Sequence, residues 1–117
     1  MKVLGLHHVN INVRDLAEAV AFYTSVGFEQ VPRPDFASAG AWLQMGAHQL
    51  HLSTPKNQLI DRAQHFALAV DDLDACTAEL DALGIGVTRL DQVQGAGRQA
   101  FFHDPTGNLI ELNQPLV

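Results

Sequence analysis

Cysteine is almost missing from this chain: Cys76 is the only one among 117 residues. No intramolecular disulfide can form, and the expected setting is a reducing cytoplasm. Basic runs are missing too. Seven Lys and Arg stand against 13 Asp and Glu, a formal charge of −6, so neither nucleic acid nor an anionic membrane is expected as a partner. Long apolar runs are also lacking. The start, Met1-Lys2-Val3-Leu4-Gly5, passes straight into strand alternation, so no secretory leader is expected, and no stretch approaches a membrane span. Loops are short, with none long enough to clamp a coenzyme tail or a large antibiotic. A small polar or aromatic molecule is therefore the expected substrate. What is present is ordinary for a folded protein: 47% hydrophobic and 17% charged residues, enough for one compact domain that needs no disulfides.

The chain uses one stretch twice. Leu6-His7-His8-Val9-Asn10-Ile11-Asn12-Val13-Arg14-Asp15-Leu16 is echoed by Ala63-Gln64-His65-Phe66-Ala67-Leu68-Ala69-Val70-Asp71-Asp72-Leu73. His8 and His65 stand 57 residues apart, as do Val13 and Val70, Asp15 and Asp72, and Gly27 and Gly84. A repeat of this kind fixes the architecture before any residue is interpreted.

Within each copy the periodicities give the elements. Leu6 to Val13 alternates with period two, its second face polar, as a strand. Asp15 with Glu18 three residues on marks a helix start, and Leu16, Ala19, Val20, Tyr23 and Val26 recur at helical spacing until Gly27. Strands follow at Phe28 to Val31, Ala41 to Met45 and Gln49 to Ser53, the last two joined through Gly46-Ala47-His48. The second copy repeats this: strand His65 to Val70, helix from about Asp72 to Leu83, and strand Val87 to Leu90. A loop with Gly95 and Gly97 then precedes a hairpin of Arg98 to His103 and Asn108 to Asn113 across Asp104-Pro105-Thr106-Gly107. The fold expected is α+β, two βαβββ modules at about residues 1–55 and 64–117, with a linker at about 56–63.

Late in the chain the spacing grows to 60, because the final turn is longer: Pro55 corresponds to Pro115, and His51 in Leu50-His51-Leu52 to Glu111 in Ile110-Glu111-Leu112. Alternation puts His51 and Glu111 opposite the apolar layer. Two equivalent pairs result, His8 with His51 and His65 with Glu111. Three imidazoles and a carboxylate suit one divalent ion such as Zn, Ni, Fe, Mn or Co, with positions left for water or a chelating substrate. On the same face alternation places Asn10, Asn12, Trp42, Gln44, Gln99 and Phe101. Arg33 and Arg98, at loop and strand ends, are positioned to meet an anionic group. Asn10, Trp42, Gln44, Arg98 and Phe101 are the expected substrate contacts.

The segments Leu6 to Gly27, His65 to Gly84 and above all Phe102-His103-Asp104-Pro105-Thr106-Gly107-Asn108-Leu109-Ile110-Glu111-Leu112 resemble the vicinal oxygen chelate superfamily. That group includes glyoxalases, fosfomycin- and bleomycin-resistance proteins and extradiol dioxygenases. The resemblance covers nearly the whole chain. It implies a cup-shaped mixed sheet with helices on its convex side, and a metal held by His8, His51, His65 and Glu111. It also implies a homodimer whose sites can be shared between chains. Where this chain has His51, glyoxalase I has Glu or Gln, while the thiol transferases and dioxygenases leave that position without a ligand. The expected activity is metal-dependent lyase or isomerase chemistry on vicinal oxygens, with Glu111 or His51 as proton shuttle. The alternatives are an Fe(II) ring-cleaving dioxygenase on His8, His65 and Glu111, or a metal-free binding protein of the bleomycin-resistance kind.

Overall fold

The computed structural model describes residues 1–57, 60–61, 63–93, 95 and 97–115. Residues 58, 59 and 62 of the expected linker, 94 and 96 near the Gly95–Gly97 loop, and 116–117 lie outside the described residues. The chain divides into two compact units, Met1–Ile60 and Asp61–Val117. The first holds β1 (His8–Asn12), α1 (Leu16–Ser25), β2 (Glu29–Val31), β3 (Gly40–Met45) and β4 (His48–Ser53). The second holds β5 (His65–Ala69), α2 (Leu73–Ala82), β6 (Thr88–Val93), β7 (Gly97–His103) and β8 (Leu109–Gln114). Each is the expected α+β unit, βαβββ. The sheets run β1-β4-β3-β2 and β5-β8-β7-β6.

In both sheets the first strand lies parallel to the last, while the other neighbours are antiparallel. Parallel neighbours need a crossover, which the helix supplies. The helices start where the sequence says. Asp15 accepts from the backbone N–H of Glu18 at 2.9 Å and Asp72 from that of Ala75 at 3.0 Å, satisfying donors that the first turn leaves without partners. Glu18 spends its own carboxylate on Arg14, at 3.0 Å. At ten residues each, neither helix is long enough to cross a membrane.

Alternation then divides each sheet into two faces. In the first unit, Val9, Leu50 and Leu43 form one row and Ile11, Leu52 and Ala41 another. Tyr23 of α1 lies with them in the core, fully buried like Leu43 and Leu50. In the second, the rows are Phe66, Ile110 and Phe102, then Leu68, Leu112 and Ala100, with Leu73 and Leu80 of α2 also buried. Each large side chain removed from water in this way contributes about 1.5–3 kcal/mol. The rows between them carry the polar residues.

The turns are built to hold these strands in register. The β3–β4 hairpin has only Gly46 and Ala47 between paired Met45 and His48. Gly46 at φ +59° occupies the first central position of a tight hairpin turn, where a side chain is disfavoured. β6 runs longer than the expected strand, to Val93, through a register shift between Leu90 and Val93. Its charged residues Arg89 and Asp91 hide that length from a hydrophobic pattern. The β7–β8 turn is organised by Asp104, which is buried. Its Oδ1 accepts from the backbone N–H groups of Thr106, Gly107 and Asn108 at 3.0, 2.9 and 2.8 Å. Asn108 Nδ2 donates to Oδ2 at 2.9 Å. The Asp-Pro-Thr-Gly-Asn stretch thus serves the fold, setting where β8 begins. Asp104→Ala is expected to lower unfolding free energy by about 1–3 kcal/mol, because it strands several half-buried donors; urea titration checks this, and a change under about 0.5 kcal/mol would contradict it.

Candidate metal centre

The polar row of the first unit is Asn10, His51 and Trp42, one residue from each of β1, β4 and β3. His51 is buried, at 8% exposure. Its ring stacks on His8 with centroids 4.0 Å apart and on Trp42 at 4.3 Å, the latter almost parallel at 4°. His51 Nε2 lies 2.9 Å from Gln49 Oε1. An amide oxygen only accepts, so this contact places the proton on Nε2 and, in the neutral ring, the lone pair on Nδ1. Burial pushes the His51 pKa below the usual histidine value, and His8, His7 and Arg33 push it the same way. His8 Nδ1 contacts His7 Nδ1 at 2.9 Å. Asn10 Oδ1 accepts from Ser53 at 3.0 Å.

The matching row of the second unit is Ala67, Glu111 and Phe101. His65 Nδ1 lies 2.9 Å from the carbonyl oxygen of Ala63. A carbonyl cannot donate, so Nδ1 carries a hydrogen and the neutral ring offers its lone pair at Nε2. That nitrogen faces Glu111 Oε1 at 3.2 Å. Two lone pairs meet there, and only a proton or a cation between them makes the contact favourable. Glu111 Oε2 in turn accepts from Gln99 Nε2 at 3.1 Å and Asn113 Nδ2 at 2.9 Å. Phe101 stands edge-on to the His65 ring, with centroids 6.0 Å apart.

The structure therefore brings together His8, His51, Trp42 and Asn10 in one unit, and His65, Glu111 and Phe101 in the other. Gln44 shares its face with Trp42 but donates to the carbonyl of Gly46 at 2.7 Å. Arg98 is elsewhere. It is an even-numbered residue of β7, in alternation with Ala100 and Phe102 on the helix-covered face, and it pairs with Asp74 of α2 at 2.9 Å. Arg33 lies over the Phe36 ring, 4.7 Å from its centroid. Gln49 and Asn113, two residues before His51 and two after Glu111, escape a reading aimed at ligand types, although alternation puts both on the ligand face. Phe36, 6.1 Å from Trp42, comes from an aperiodic loop and has no sequence signal.

The His65–Glu111 pair suits a metal ion. Donors about 2.1 Å from a shared ion, subtending about 100° at it, stand about 3.2 Å apart, and a backbone carbonyl on the far ring nitrogen is the usual partner of a ligating histidine. The His8 and His51 rings are stacked, 19° from parallel, so their in-plane lone pairs run side by side, and one ring would have to turn for both to hold a single ion. Donors come as one pair per unit, and among the described residues neither unit gathers three or more candidate ligands into a group.

The chain is similar to known proteins. Glyoxylase I 4 of Arabidopsis thaliana is 29% identical over 124 residues, spanning 96% of this chain and 71% of that protein. Metallothiol transferase FosB of Shouchella clausii is 27% identical over 121 residues, spanning 95% and 80%. A Bacillus anthracis protein described as of the glyoxalase family superposes with a TM-score of 0.88 at 27% identity, covering 96% of this chain and 95% of that one. Residues 5–112 match the sequence profile of one family, and the chain belongs to it: the Glyoxalase/Bleomycin resistance protein/Dioxygenase superfamily.

Proposed function

We propose that this protein is a divalent-metal-dependent enzyme of the glyoxalase type, acting on a small substrate with vicinal oxygens by lyase or isomerase chemistry. His8, His51, His65 and Glu111 are the proposed ligands. The observation that carries this reading is the 3.2 Å approach of His65 Nε2 to Glu111 Oε1, with the other ring nitrogen committed to Ala63. A bound ion (Zn, Ni, Fe, Mn or Co) supplies Lewis-acid polarisation of adjacent substrate oxygens. Membership of the superfamily, and relatives named as a glyoxalase and a metallothiol transferase, support metal chemistry on small molecules. Trp42 and Phe101 offer flat apolar surface beside the donors, and Asn10 a polar group, for orienting the substrate. His51 would serve as proton shuttle only while off the ion, when its Nδ1 lone pair is free to take a substrate proton.

One contact favours a second reading. Because Gln49 holds His51 Nε2, His8, His65 and Glu111 would form a two-histidine, one-carboxylate set, the ligand type of Fe(II) oxygenases. His51 would then position His8 by stacking rather than ligate.

Metal titration of the purified protein is expected to show tight binding of one divalent ion per chain. His65→Ala and Glu111→Ala should weaken it by more than the roughly 10–100-fold that changes behind the ligands cost; no binding at micromolar metal would defeat both readings. His51→Ala separates them. Binding collapses if the set has four protein ligands, whereas retained binding together with oxygen uptake on catechols selects the dioxygenase. Acidification of metal-free protein gives an independent check on His51. Its folded pKa lies below the unfolded value of about 6.5, so the associated stability is full above that pH and is lost as pH falls toward the folded value. Between about pH 7 and pH 5, the Tm should drop further for the native protein than for His51→Gln; equal drops would contradict the burial argument.

A further inference from the structure

We infer that Gln99 and Asn113 form an amide clamp that fixes Glu111 as a one-oxygen metal ligand and removes it from proton transfer. The inference rests on the metal-binding reading given above. Gln99 and Asn113 are register partners on β7 and β8, two residues along from the Phe101–Glu111 pair and on the same face. Both amide N–H groups converge on the same carboxylate oxygen, Oε2, at 3.1 and 2.9 Å. The other oxygen, Oε1, is the one that faces His65 Nε2.

The chemistry follows from counting lone pairs. Glu111 is 6% exposed, and a carboxylate so placed needs donors in exchange for its lost water. Two donors on Oε2 occupy the directions through which that oxygen would chelate, so Oε1 alone is left for an ion. A carboxylate bound through one oxygen leaves one more coordination position for substrate than a chelating one. The clamp also stops Oε2 from taking a substrate proton, since it already faces two N–H groups. Of the two proton-shuttle candidates, Glu111 is thereby excluded and His51 is left.

The first unit supports this by contrast. The positions equivalent to Gln99 and Asn113 are Trp42, 57 residues earlier, and Ser53, 60 earlier. There the ligand candidate is a ring, and it receives a stacked indole at 4.3 Å in place of amide donors. The supporting residues thus differ in step with the charge of the residue they support.

The test uses Co(II) on the full chain with Gln99→Leu, Asn113→Leu and the double variant, each checked for native circular dichroism. Leu removes the donors and leaves a side chain of comparable reach. Each single change is expected to raise the Co(II) dissociation constant about 10-fold and the double about 100-fold. In the infrared difference spectrum on Co(II) binding, the separation of the carboxylate stretches should narrow in the double variant, as Glu111 turns from one-oxygen to two-oxygen coordination. If the double variant does not fold, the singles decide on both readouts. Native-like affinity with an unchanged infrared separation would overturn the clamp while leaving the metal site standing. A native protein that binds no Co(II) would overturn both, and would do so before any variant is made.

Discussion

Everything at the site depends on the parallel pairing of the first and last strand of each unit. β1 against β4 and β5 against β8 bring together residues that lie more than forty positions apart in sequence. The register of that pairing is enforced from the other face. A slip of one residue would send Leu50 and Leu52, or Ile110 and Leu112, into water and turn His51 or Glu111 into the core. The hydrophobic layer therefore sets the spacing of the polar one, and the ligand candidates stand where they do because their neighbours are apolar.

The two units share this frame but differ in what surrounds the donors. His51 sits between rings, with its Nε2 held by a side-chain amide. Glu111 sits among N–H groups, facing an imidazole whose outer nitrogen is anchored to backbone. These surroundings follow from charge: a buried carboxylate requires donors, while a neutral imidazole tolerates apolar contact. Asp104 plays a third role, remote from chemistry, by wrapping the turn that delivers β8. The most recognisable motif of the sequence is thus a folding device placed a few residues before the candidate ligand Glu111.

Much of this was legible in the chain. The 57-residue echo gave both copies of βαβββ, and the change to 60 assigned Glu111 as the counterpart of His51, because strand alternation survives a longer turn. Other features depend on which atoms meet. The Gln49–His51 contact, the Ala63 anchor on His65 and the two amides on Glu111 are set by rotamers that no spacing encodes. Arg98 shows the limit from another direction. Its charge suggested substrate contact, but parity within β7 turned it toward α2, where Asp74 takes it up. Phe36 lay in a loop without period, so only the folded chain places it near Trp42.

His8 and His65 also stand on the first strands of their four-stranded sheets, each paired with one neighbour among the described residues. Such strands are the first to fray. An ion gripped by one residue on such a strand and another on its neighbour would act as a rivet through that pairing. Its occupancy would then govern the local opening of β1 and β5 as much as any chemistry. In that sense the availability of metal in the surroundings would be written into the mechanical integrity of the two sheets.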